Sequence, residues 1–241
     1  MKNHNLCIDR GNTLIKAGVF DGAELKQKFV FQDYEELYVL LQENSFDQII
    51  ISSTKRDESD FVESVAGQKI KVFSYDLPLP VVNKYHTPET LGKDRLAGVI
   101  GAKFLFPVNH CLVVDAGTCI TYDLVTAKGE YLGGAISPGL QMRYKALNHF
   151  TARLPLINPS ENHLLTGTDT TTSIISGVQN GLIYEIERII KEYSDSYPDL
   201  KVILCGGDAS FFESKIKGTI FAFPDLVLLG LNHTLLYNAP K

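Results

Sequence analysis

Three aspartates lie beside glycines in short polar interruptions of apolar sequence. They are Asp9 in DRGNT, Asp115 in DAGTC and Asp94 in GKDRL. A glycine turn between two strands exposes successive backbone N–H groups, and such groups bind phosphate oxygens because no side chain blocks approach. Asn12 and Thr13 can add neutral hydrogen bonds, and Lys16 a positive charge. Asp9 would repel phosphate directly, so beside one it makes sense as a partner of Mg²⁺ or of its waters. In GKDRL, a carboxylate near a phosphoryl donor can take the proton of an attacking hydroxyl, and the Arg95 guanidinium can grip an anion in fork geometry. Each motif alone has a plainer reading: a hairpin that uses Asp and Gly for turn geometry, or a solvated Asp–Arg pair.

Repetition argues against the plainer reading of the turns. Leu6 to Thr13, LCIDRGNT, aligns with Leu112 to Cys119, LVVDAGTC, about half a chain further on. Two such turns facing each other could grip a polyphosphate from both sides. The chain has neither a G-x-x-x-x-G-K-[ST] loop nor a G-x-G-x-x-G fingerprint. Gly206 and Gly207 in CGGDA add a place before a helix where backbone can lie flat against a nucleoside.

The elements that must position these groups follow from period and turn chemistry. Asn5 to Asp9, Thr13 to Phe20 and Glu24 to Phe31 read as an antiparallel meander. A helix over Tyr34 to Glu43, the strand DQIIISS, a polar helix near Asp57 to Ala66 and the strand KIKVFSYD follow. LPLPVVNKYHTP is an irregular loop that feeds a helix over PETLGKDRLAGVIGAKFLF, with Pro88 near its first turn. Then the pattern restarts with HCLVVDAGTCITYDLV and KGEYLGGAISPG. Helices, the strand KVILCGGD, the strand GTIFAF and a helix from Asp225 come after it. Thr171 to Tyr193 has apolar residues at helical spacing, a face for the core or for a second subunit. The fold class is α/β, with two duplicated lobes, residues 1–105 and 106–241, and a cleft between them.

Composition excludes several classes. The apolar share of 44% and charged share of 21% are those of a globular protein. A net charge of −5 without a basic cluster argues against nucleic acid as the main partner. No signal peptide or membrane-length apolar run is apparent, so the expected location is cytoplasmic. Cys7, Cys111, Cys119 and Cys205 form no C-x-x-C pair, which leaves no zinc pattern.

Taken together, DRGNTLIK, YHTPETLGKDR and DAGTCITYD, followed by GGAISPGLQM and TARLP, resemble the type III pantothenate kinases in order and over most of the chain. The resemblance implies the actin-like ATPase fold, with ribonuclease-H-like mixed sheets. It implies transfer of the ATP γ-phosphoryl group to the primary hydroxyl of pantothenate, with ATP, Mg²⁺ and a monovalent cation (K⁺ or NH₄⁺) required. Carried over by position, Asp9, Arg10, Gly11, Asn12, Thr13, Leu14, Ile15 and Lys16 bind ATP, with Asp9 reaching Mg²⁺ through water. Asp94 is the general base. Gly92, Lys93, Asp94 and Arg95 contact pantothenate, Tyr85 lines its pocket, and Thr170 in TGTDT touches it. Asp115 holds the monovalent cation and Thr118 contacts ATP. A homodimer is the expected assembly. Arg10, Lys93 and Cys119 depart from common family choices without removing a group that has a role. A nucleotide-binding regulator of the same fold without catalysis, and a kinase for another small hydroxylated acid, are the rival readings.

Overall fold

The computed structural model describes residues 4–53, 70–161 and 164–239, so the helix expected near Asp57 to Ala66 lies outside the described residues. The chain divides into two compact units. One comprises Met1–Val108, Val125–Leu132 and Asp225–Lys241, and the other Asn109–Leu124 and Gly133–Pro224.

In the first unit, β1 (His4–Arg10), β2 (Ile15–Asp21) and β3 (Glu24–Phe31) form the expected meander. Helix α1 (Tyr34–Glu43), β4 (Gln48–Ser53) and β5 (Ile70–Val72) follow. The sheet order is β3-β2-β1-β4-β5, with β1 antiparallel to β2 and parallel to β4. Asp33 starts α1 by accepting a hydrogen bond from the Glu35 N–H at 3.0 Å. Leu37 and Leu41, one turn apart, bury that helix on the sheet face that carries Leu6, Ile8, Ile49 and Ile51. The alternate residues Cys7 and Ile50 are also fully buried, as a central strand covered on both faces requires.

The other face is covered by α2 (Lys93–Leu105) and by a helix from the far end of the sequence, Leu226–Tyr237, which becomes α6 in chain order. These two cross closely: Gly101 packs on the Leu226 carbonyl, and Gly230 on the Ala97 carbonyl. Asn232 ties the crossing to the sheet, accepting from Asn5 Nδ2 at 3.0 Å and donating to the Gly22 carbonyl at 2.8 Å.

The sequence from Pro88 is not one helix. Pro88–Thr90 is a 3₁₀ turn, Leu91 and Gly92 are non-helical, and α2 begins at Lys93. The Pro-rich stretch before it is ordered and contains the short strand β6 (Val82–Asn83).

Mostly in the second unit, β7 (Cys111–Ala116), β8 (Cys119–Val125) and β9 (Glu130–Pro138), whose first three residues count with the first unit, form the repeated meander. Helices α3 (Leu140–Phe150) and α4 (Thr170–Ser196) follow, then β10 (Lys201–Cys205), α5 (Ala209–Glu213) and β11 (Ile220–Ala222). The sheet order is β6-β9-β8-β7-β10-β11; apart from the added edge strand β6 it repeats β3-β2-β1-β4-β5, so the duplication seen in the motifs is a duplication of topology. Leu112, Val114, Ile120 and Tyr122 pack with Ile174, Val178, Leu182 and Ile186 of α4, whose apolar spacing is therefore used at least in part by the core.

Candidate active site

Each acid of interest sits where a strand or helix ends. Asp9 is near the carboxyl end of β1, opposite Lys16 on β2 and Ser52 on the parallel strand β4. In open α/β sheets, ligands gather outside the carboxyl ends of parallel strands. The connection from β1 to β2 exposes Asn12, Thr13 and Leu14, and the Gly11 N–H donates to the Leu14 carbonyl at 3.1 Å. The Arg10 guanidinium packs over the Tyr34 ring with Cζ 4.3 Å from its centroid, which fixes where this cation can reach. Ile15 is buried and anchors the loop, so in the segment expected to bind ATP it contributes packing.

In the same unit, Gly92 is the N-cap of α2, and Lys93, Asp94 and Arg95 form its first turn. Gly92 has a steric reason to be glycine: a Cβ there would lie 2.5 Å from Asp94 Oδ1 and 3.4 Å from Arg95 Cδ. Any side chain at position 92 would displace the carboxylate. Asp94 Oδ1 also accepts from the Arg95 N–H at 2.8 Å. Arg95 is 8% exposed, which rules out the solvated-pair reading of GKDRL. Its Cζ lies 5.7 Å from the Tyr85 ring centroid, so the structure brings together the aromatic and the cation assigned to one substrate.

The second unit carries Asp115, Thr118 and Thr170. Asp115 lies near the end of β7, in register with Cys205 of β10. Its Oδ1 would lie 2.5 Å from a Cβ on Gly206, and Gly206 has φ +95°, so position 206 is closed to other residues on both counts. The Asp208 N–H donates to the Ala116 carbonyl at 2.8 Å, and burial pushes the Asp208 carboxyl above its ordinary pKa. Thr118 is exposed at the turn. Thr170 is exposed at the first position of α4, above a reciprocal cap: Asp169 Oδ1 accepts from the Thr172 N–H at 2.8 Å, and Thr172 Oγ1 from the Asp169 N–H at 3.1 Å. Hydrogen bonds from Thr172 hold the exposed Asp169 carboxyl below the ordinary range.

Sequence reading missed the groups around Tyr85. Tyr131, fully buried at the start of β9, stacks on it with centroids 6.2 Å apart and planes 8° apart. Asn83 Oδ1 accepts its backbone N–H at 2.9 Å. Nothing in GEYLGG or VVNKY distinguishes these two from ordinary strand residues.

A family model described as type III pantothenate kinase matches residues 5–192. Proteins named type III pantothenate kinase from Flavobacterium johnsoniae and Bacteroides fragilis are 41% and 43% identical to the chain. The matches span 96% and 97% of it, and 97% and 98% of the relatives. Among solved structures, a protein from Campylobacter jejuni described as a conserved Baf family transcriptional activator is similar at TM-score 0.66 and 20% identity, covering 97% of this chain and 98% of that one. An inorganic polyphosphate/ATP-glucomannokinase from Arthrobacter is similar at TM-score 0.51 and 14% identity, covering 98% and 99%. At such identities the two structures speak for the fold alone, and with the repeated sheet order they support the actin-like ATPase fold class. The curated relatives, at twice that identity over nearly the full length, settle more: the chain belongs to the type III pantothenate kinase family.

Proposed function

We propose that the chain transfers the γ-phosphoryl group of ATP to the primary hydroxyl of pantothenate, giving 4'-phosphopantothenate at the first step of coenzyme A biosynthesis, with Asp94 as general base. The observation that carries this reading is the first turn of α2, where Gly92 leaves room for the Asp94 carboxylate and the neighbouring Arg95 is buried against Tyr85. Phosphoryl transfer needs positioning, charge neutralisation and a base more than covalent chemistry. Asp94 receives the hydroxyl proton. Arg95 grips the substrate carboxylate, and Tyr85, Gly92, Lys93 and Thr170 complete the contacts with pantothenate.

Asp9 to Lys16 and Thr118 hold the nucleotide. Mg²⁺ supplies charge neutralisation on the phosphates. Among the described residues no three His, Cys, Asp or Glu side chains cluster as a metal cage, which fits an ion carried mainly by phosphates and water with Asp9 behind it. Asp115, set against the backbone of Gly206, suits a monovalent cation that adds positive charge without octahedral demands. The second unit exposes Ile136, Phe150, Leu164, Leu165 and Tyr184, which supports a homodimer; a sedimentation mass of one chain would refute it. Among the described residues no helix is long and apolar enough to cross a membrane, and we assign the enzyme to the cytoplasm.

The test is ADP release with pantothenate, ATP and Mg²⁺, with and without K⁺. Asp94→Asn is expected to lower turnover roughly 100- to 10,000-fold while circular dichroism stays unchanged. Unchanged turnover would remove Asp94 from the role. ADP release with another hydroxy acid but not pantothenate would reassign the substrate. ATP binding without ADP release under any condition would favour the regulator.

A further inference from the structure

We infer that Tyr131 and Asn83 are positioning residues that act through Tyr85 to hold the Arg95 guanidinium ready for the substrate carboxylate. This rests on the reading of Arg95 as a pantothenate ligand. A guanidinium binds a carboxylate well only when its fork is already oriented, since otherwise its rotamer freedom is lost on binding. Arg95 lies beside the Tyr85 ring, 5.7 Å from its centroid. Tyr85 itself stands in a loop, and a loop residue can orient a neighbour only if something fixes it.

Two groups do so. The fully buried Tyr131 ring is stacked on Tyr85 at 6.2 Å and 8°. The Tyr85 backbone N–H is held at 2.9 Å by Asn83 Oδ1. The strands join the two devices: β6 pairs with β9 in parallel, with Asn83 in register with Tyr131, and the Lys84 N–H donates to the Tyr131 carbonyl at 2.9 Å. Ring and backbone of Tyr85 are therefore referred to the same short segment of β9. The Asn83 Nδ2 is buried and has no hydrogen-bond partner among the described residues, while the amide oxygen is committed to Tyr85.

The experiment measures KM for pantothenate, KM for ATP and kcat in Tyr131→Leu, Tyr131→Phe, Asn83→Ala and Arg95→Ala, with circular dichroism on each. Tyr131→Leu is expected to raise the pantothenate KM roughly three- to tenfold, with the ATP KM unchanged and kcat nearly so. Tyr131→Phe, which keeps the ring, restores the parent value. Asn83→Ala raises the same KM roughly threefold. Adding Tyr131→Leu to Arg95→Ala raises it no further. An unchanged pantothenate KM in folded Tyr131→Leu, or a joint loss in kcat and both KM values, overturns the inference. If Tyr131→Leu does not fold, an unchanged KM in Asn83→Ala overturns it instead. Arg95→Ala with an unchanged pantothenate KM removes the underlying reading of Arg95, an outcome distinct from the failure of Tyr131 alone.

Discussion

The turns at Gly11–Leu14 and Gly117–Thr118 descend from one repeated pattern, yet they are held by different means. The first is a short loop with exposed side chains, closed by the Gly11 to Leu14 backbone bond and flanked by Arg10 on Tyr34. The second is tighter, closed by the Gly117 N–H donating to the Cys119 carbonyl at 3.0 Å, and is braced in addition by surrounding backbone. The Gly139 N–H donates to the Thr118 carbonyl at 3.2 Å, and Gly206 backs Asp115 and Ala116. Behind Gly139, Arg143 Nε donates to the Pro138 carbonyl at 2.9 Å, and its Nη2 contacts Glu185 Oε2 at 2.6 Å. One copy thus exposes three successive side chains, Asn12, Thr13 and Leu14, and the other exposes Thr118 on a backbone braced by its neighbours. The difference teaches that a duplicated motif can keep its turn while neighbouring elements take on part of the burden of holding it.

Substitution at the glycines should separate the two most sharply. Gly206→Ala forces a side chain into positive φ and against the Ala116 carbonyl, and is expected to destabilise by about 3 kcal/mol or more, read as a lowered urea midpoint. A midpoint near the parent value would show that the second turn is not set by its surroundings.

Gly11→Ala should behave differently, since its Cβ would lie 3.4 Å from the Leu14 carbonyl, an ordinary contact. Stability should stay within about 0.5 kcal/mol, while the added methyl shields the turn and raises the ATP KM roughly threefold. An unchanged ATP KM would take the first turn out of phosphate binding.

The smallest effect concerns acid. Burial raises the Glu185 pKa, but hydrogen bonds from Arg143, Ser137 and Tyr122 outweigh it and leave the carboxyl below its ordinary value. The folded state therefore binds fewer protons there than the unfolded chain. This contribution is present above the unfolded value of about 4.3 and is lost as pH falls through the lower folded one. Urea midpoints measured across that range should fall less steeply in Glu185→Gln than in the parent. Parallel curves would free the second turn from its ion pair.

Much of this was legible beforehand. The bounds of α1 were read as Tyr34 to Glu43, as observed, and both meanders from alternation broken by Asp and Gly. Local patterns carry such elements. The break at Leu91–Gly92 was hidden because helix-compatible apolar spacing runs straight across it, while the break itself is in the backbone, extended at both residues with ψ 130° and 126°. The packing of α6 on β1 and β4 was hidden because it joins residues more than 200 positions apart, as in the Asn5–Asn232 bond. In the site, Asp94 and Arg95 stood out by type and spacing, whereas Tyr131 and Asn83 act only through a neighbour and leave no pattern in the chain.

The route of α6 has a consequence for biosynthesis. It covers one face of the first sheet, yet it is translated after all of the second unit. At roughly 5–20 residues per second, that leaves on the order of ten seconds during which Cys7 and Ile50 await the helix that completes their cover. The second unit has no such wait, because its segments follow one another apart from a short excursion at Val125–Leu132. On the ribosome, the half that emerges first is the half that finishes last, and its unfinished sheet is the surface a nascent-chain chaperone would meet.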